Sequence, residues 1–236
     1  MPPLQQDLRA TAWSFALVAI ATVLCHAAGG GTLGLFLGPL LFAAILAPPL
    51  VVAEEGLRSK LFAAAGACDG VGVVWLASVL AGVISFGQWA QCVLIVAGVV
   101  TLAGGLGLAL RRVGVHGVIA SALAVVVGLA WVTWPVWLSP WLAGREAWVE
   151  WLAWAHPVMA INAAVAHLGV WSEQTVAYRL TNLGQDVAYQ LPSTMWPSAV
   201  SHLVVGAALF WWGGVAKRAS RSINRIDPTA TTERTA

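Results

Sequence analysis

The chain has 236 residues, of which 59% are apolar and only 9% charged, with a formal net charge of +2; its mean hydropathy is +0.81. An average soluble domain carries roughly 25% charged residues, so this composition excludes an ordinary soluble enzyme and indicates a polytopic membrane protein. The basic residues stand in short clusters near the ends of apolar runs and form no basic face, which leaves no footprint for nucleic acid.

About 20 apolar residues rising 1.5 Å each cross a hydrocarbon core of about 30 Å. Six runs meet that length: 11–28, 33–53, 70–86, 90–110, 113–138 and 199–215. The fold class expected is an all-α integral membrane protein with six transmembrane helices in a single domain, 1–236. The first run follows Asp7 and Arg9 without a clear small-residue cleavage site, so it is expected to stay as the first membrane helix rather than leave as a signal peptide. Gly29, Gly30 and Gly31 make a tight turn between runs one and two. Pro48 and Pro49 near the end of run two, and Pro135 in run five, remove backbone donors and loosen the helix around them. Gly104, Gly105 and Gly107 in run four are positions where helix backbones can approach closely.

Between runs two and three lies EEGLRSKLFAAAGACD, 54–69. Acids precede bases by about one turn, the favourable order on a helix surface, and Leu57, Phe62 and the alanines supply an apolar face. This is expected to be a short amphipathic helix on the inner surface, suited to a docking partner or simply resting at the interface.

Lys and Arg in short loops favour the cytoplasmic side. With the N-terminus inside, ten of the twelve basic residues fall inside: Arg9, Arg58, Lys60, Arg111, Arg112 and five in the basic tail 216–236. Both termini are then cytoplasmic and the long segment 139–198 lies outside. There Trp141, Trp148, Trp151 and Trp154 share a helix face, apart from Arg145, Glu146 and Glu150, as expected of an interfacial helix with an aromatic belt. His156 and Pro157 end it. The next stretch, VMAINAAVAHLGVW, is too short to span and fits a re-entrant or surface-lying helix. A polar stretch follows, with Tyr178 and Tyr189, and leads to run six.

Chemistry-bearing motifs are absent. There is no HExxH, no GxSG and no GxxxxGK[ST], so neither a zinc protease, a serine hydrolase nor a self-contained ATPase is encoded. The three cysteines, Cys25, Cys68 and Cys92, form no CxxC pair. No acidic or basic residue is expected deep in a span, which argues against an ion-coupled carrier. Catalytic residues and a metal site are therefore not expected. Of the five histidines, His26, His156, His167 and His202 fall near the outer surface and His116 near the inner one. A pair of outer histidines beside Trp134 and Trp137 could ligate a haem iron, or the rings could serve as ordinary partly buried polar groups.

Six spans, cytoplasmic ends, EEGLRSKLFAAAG in the inner loop and WLAWAHPVMAINAAV before run six together resemble the membrane (permease) subunit of type-2 ABC exporters. The inner loop keeps Glu55, Gly56 and Leu57 of that family's pattern and departs from it in lacking the Thr, the later Pro and the later Lys. The resemblance implies a dimeric translocation path, formed with a second permease copy or a paralogue in the lipid bilayer. It implies a separate ABC ATPase subunit that binds ATP and Mg, with no cofactor on this chain and no enzymatic activity of its own. Glu54, Glu55, Leu57, Arg58, Lys60 and Phe62 would carry the coupling to that ATPase, and spans two and five would line the dimer interface. The richness in Ala, Val and Gly is what a bacterial plasma (inner) membrane protein shows. The alternatives are a haem-handling or cytochrome-assembly membrane protein, and a structural subunit of a membrane complex.

Overall fold

The computed structural model describes residues 3–27, 31–142, 144–170 and 190–215. The triple-glycine turn except Gly31, the polar stretch with Tyr178 and Tyr189, and the basic tail lie outside the described residues. Among the described residues all regular structure is helical: α1 Pro3–Ala27, α2 Gly31–Ala53, α3 Leu57–Leu80, α4 Phe86–Arg112, α5 Gly117–Trp137, α6 Glu146–Ala155, α7 Pro157–Ala164 and α8 Trp196–Val215, with 3-10 turns at Ser139–Leu142 and Ala166–Leu168.

Helices α1 to α5 are each long and apolar enough to cross a bilayer, as expected of an integral membrane protein. Helix α8 is 20 residues long and carries Pro197, Ser198, Ser201 and His202 in its first two turns.

Helix α4 is the centre of the bundle and packs on α2, α3, α5, α7 and α8, while α1 packs on α3 and α2. Glycine makes the closest crossings possible. A Cβ on Gly206 would lie 2.5 Å from the Leu102 amide nitrogen, and one on Gly105 would lie 2.7 Å from the Gly206 carbonyl oxygen. Backbones of α4 and α8 therefore touch, the arrangement that small residues permit in membrane helices. Gly104 and Gly107 face Val51 and Val52 of α2, so the glycines of α4 serve packing. Helix α2 runs through Pro39, Pro48 and Pro49 without ending.

Two ends of the bundle are defined by side-chain ties. At one end Arg111 donates to the Val52 carbonyl at 2.7 Å, and Arg112 reaches the Trp212 carbonyl with its guanidinium 4.8 Å from the Trp212 ring centroid. The start of α1, the α2–α3 turn, the α4–α5 turn and the end of α8 thus share one end. At the other end His167 Nε2 donates to the Val83 carbonyl at 3.1 Å and its Nδ1 accepts from Gln88 at 3.3 Å. That fixes the α6–α7 segment over the α3–α4 turn, where Ser85 and Gln88 form a capping box. Arg9, Arg58, Lys60, Arg111 and Arg112 all belong to the first end.

Helix α3 differs from expectation. It begins at Leu57 and runs unbroken to Leu80, so the inner loop is only Glu54 to Gly56 and the amphipathic element is the first turns of a long helix. The polar residues there, Ser59 and Lys60, are buried rather than laid on a surface. Asp69, expected at the edge of a span, stands about 18 Å along the axis from Leu57 and about 16 Å from Leu80, on the exposed face of α3. An acidic residue therefore does lie mid-way along one membrane-length helix.

Candidate functional site

At the arginine-rich end, the carboxylate of Asp7 is 3% exposed and holds the first turn of α3. Ser59 Oγ donates to its Oδ1 at 2.7 Å, and Arg58 Nε lies 2.9 Å from its Oδ2. The Arg58 guanidinium also sits 5.5 Å from the Phe62 ring centroid, a cation–π distance. Thr11 Oγ1 adds a contact to the Phe62 carbonyl at 3.4 Å. Further along, Gly66 faces the Thr11 carbonyl so closely that a Cβ would lie 2.5 Å from it. Sequence alone does not reveal Asp7 and Ser59 as partners, since they are 52 positions apart.

The six residues expected to couple to an ATPase are thus divided. Leu57 packs against the buried set Val51, Val52, Leu108 and Phe210, Lys60 is buried, and Arg58 and Phe62 are engaged with each other and with α1. Glu55 is exposed and Glu54 half-buried in the turn. Burial raises the Glu54 carboxyl above its ordinary range; the negative Asp7 nearby adds to this and Lys60 works against it.

Glu54 and Glu55 also stand at the mouth of a cleft of about 620 Å³ between α1 and α2. Its other walls are Arg9, Trp13, Ser14 and Leu17 from α1 and Leu46, Pro49 and Leu50 from α2. A smaller, almost wholly apolar cavity of about 300 Å³ lies between α4, α5 and α8, closed at one end by Trp131 and His202.

At the opposite end the two short helices fold back over the bundle. In α6 the buried positions are Val149 and Ala153, whereas Trp141, Trp148, Trp151 and Trp154 point outward and are 77%, 66%, 79% and 43% exposed. The tryptophan face expected from spacing holds for Trp148, Trp151 and Trp154 of α6 and is the outer one, whereas Trp141 lies before that helix in the 3-10 turn Ser139–Leu142; the apolar contact is made by smaller residues. Pro157 opens α7 at its first position, where a missing N–H costs nothing. Helix α7 is enclosed by α2, α4, α6 and α8, with Val158, Met159, Ala160 and Ile161 buried.

Between α6 and α7, His156 is fully buried. Its Nε2 donates to the Val132 carbonyl at 3.0 Å, and its ring meets Trp134 edge-on with centroids 5.7 Å apart. Burial pushes its basicity down to about 3, the Val132 bond opposing this only in part. Nearby, Trp131 Nε1 donates to His202 Nε2 at 2.8 Å. Indole is only a donor, so His202 carries its proton on Nδ1 and gives it to the Ser198 carbonyl at 2.6 Å. Both imidazoles are therefore neutral joints between α5 and the segments that follow it, and each has its Nε2 occupied. Trp131 is the member of this cluster that sequence reasoning missed; nothing in its spacing distinguishes it from Trp134 or Trp137.

Among the described residues no three His, Cys, Asp or Glu side chains gather as a metal site. Compared with known proteins, the chain matches no family model, no curated protein and no solved structure.

Proposed function

We propose that the chain is the membrane subunit of an ATP-driven exporter of the type-2 ABC class, working as a pair of such subunits with a separate ATPase docked at the arginine-rich end. The observation that carries this reading is the insert between α5 and α8. Two short helices joined at His156–Pro157 fold back over the bundle end opposite the arginines, as the outer helices of such permeases do between spans five and six. In this reading α8 is the sixth span, its polar first turns being sheltered by α6 and α7, and both termini are cytoplasmic in a bacterial inner membrane.

The exposed surface fits a dimer in part. Helix α5 keeps an open apolar face with Val118, Ile119, Leu123 and Val126 exposed, whereas α2 is enclosed by α1, α3, α4 and α5. The pairing face is accordingly assigned to α5, with α2 behind it. The ATPase contact is assigned to the α2–α3 turn, where Glu54 and Glu55 are the accessible charges and Arg58 is held by Asp7 beside them.

The haem reading has less support, because the Nε2 atoms of both His156 and His202 already bond within the bundle. Purification of the tagged protein in mild detergent, with mass spectrometry and an absorption spectrum of the same sample, tests the assignment. A stoichiometric Walker-type ATPase is the expected companion. A Soret band without an ATPase would overturn the exporter reading in favour of haem handling.

A further inference from the structure

The cleft between α1 and α2 has a polarity gradient that a membrane lipid would match. Arg9, Glu54 and Glu55 stand at its mouth, at the bundle end marked by the arginines. Leu17, two turns deeper, is about 12 Å along α1 from Arg9, and Leu46 and Leu50 of α2 face the same space. Trp13 lies between the two zones and is 59% exposed, the half-wet position indole takes at the headgroup level. The volume of about 620 Å³ falls within the roughly 300–1,000 Å³ of small-ligand sites.

The charges at the mouth have both signs and are not spent on one another. Arg58 is paired with Asp7 and Glu54 feels the attraction of Lys60 on its own side of the cleft, but neither Arg9 nor the two glutamates close a salt bridge with one another across it. A guanidinium on one wall suits a phosphate. Two carboxylates on the other suit a primary ammonium that can donate hydrogen bonds.

We infer that this cleft binds a zwitterionic aminophospholipid of the phosphatidylethanolamine type. The phosphate lies on Arg9, the ammonium on Glu54 and Glu55, and one acyl chain runs along Trp13, Leu17, Leu46 and Leu50. A choline headgroup presents N-methyl groups that cannot donate to the carboxylates. An anionic glycerol headgroup leaves both glutamates unpaired against a net negative ligand. The half-buried Glu54, held above its ordinary protonation range by burial, is the acid that gains most from an ammonium beside it. This site does not rest on the exporter reading, since it needs neither an ATPase nor a second copy.

The test is native mass spectrometry of the detergent-purified chain, without any ATPase, titrated with phosphatidylethanolamine, phosphatidylcholine or phosphatidylglycerol of the same acyl composition. The expected result is preferential retention of phosphatidylethanolamine by the unmodified protein. Arg9→Ala and the double variant Glu54→Gln, Glu55→Gln are each expected to weaken it about ten-fold, the loss of one charge-assisted hydrogen bond. The double variant also erases the preference over phosphatidylcholine. Equal binding of the three lipids by the unmodified protein overturns the assignment without recourse to any variant, and unchanged phosphatidylethanolamine binding in both variants overturns it equally.

Discussion

The Ser59 hydroxyl donates a hydrogen bond to the Asp7 carboxylate at 2.7 Å across 52 positions of sequence, and that bond ties the first turn of α3 to α1. Ser59 is buried, and α1 supplies the acceptor that its hydroxyl needs there. The bond to Ser59 is buried, whereas Arg58 is mostly exposed and its ion pair is screened by water.

Replacing Asp7 should therefore act mainly through Ser59. Asp7→Ala leaves a buried hydroxyl without its acceptor, a loss of about 1–3 kcal/mol, and Asp7→Asn keeps an acceptor oxygen but loses the charge. The expected order of thermal stability in detergent is unmodified protein, then Asp7→Asn, then Asp7→Ala. Identical unfolding temperatures for all three would show that the α1–α3 contact does not depend on this bond.

Glu54 should make the protein less stable as pH rises. Its carboxyl is raised in the folded chain, chiefly by burial, so the folded state holds the proton more tightly than the unfolded one. The stability this gives is full below the ordinary carboxylate range and is lost as pH climbs through the raised value. Glu54→Gln should consequently unfold at a higher temperature than the unmodified protein at pH 7 and at the same temperature at pH 4. A lower unfolding temperature for the variant at pH 7 would contradict the assigned direction.

His156 should act in the reverse sense. With its basicity pushed down to about 3, the ring stays neutral in the folded chain while the unfolded chain takes up a proton near pH 6.5. Stability is present above about pH 6.5 and falls on acidification towards 3, with a limiting slope of about 1.4 kcal/mol per pH unit. His156→Gln retains an N–H for the Val132 carbonyl and cannot titrate. Its unfolding temperature should change less between pH 7 and pH 5 than that of the unmodified protein; parallel curves would remove His156 as the source.

Asp69 should be a cost to the isolated chain. A lone carboxylate mid-way along a membrane helix and facing outward is unfavourable by about 2.5–3.5 kcal/mol on insertion scales. Asp69→Val is expected to insert more efficiently and to raise the unfolding temperature of the purified protein. A drop in either would mean that the carboxylate has a partner in the membrane that compensates for it.

The helical class and the bodies of α2, α4 and α5 were legible as apolar runs of membrane length, although α4 starts four residues before its run and α5 four residues after. The start of α3 was not. Ser59, Lys60 and Asp69 look like loop residues when hydropathy is averaged over neighbours, and the partner that accepts Ser59 sits in another helix. At the far end, the spacing of Trp148 and Trp151 correctly gives a helix with a tryptophan face. The inward face goes to Val149 and Ala153 because small side chains let α6 lie close to α8. The His156 and Trp131–His202 joints depend on which helices become neighbours in three dimensions, and no local pattern encodes that.

Arg111 and Arg112 are adjacent in one turn yet grip different helices, Arg111 the last turn of α2 through Val52 and Arg112 the last turn of α8 through Trp212. Val113, directly after them, is 63% exposed and can carry a spectroscopic label without disturbing either grip. Its tumbling would be a strain gauge for the whole end of the bundle: slow while both clasps hold, and faster as soon as one of them lets go.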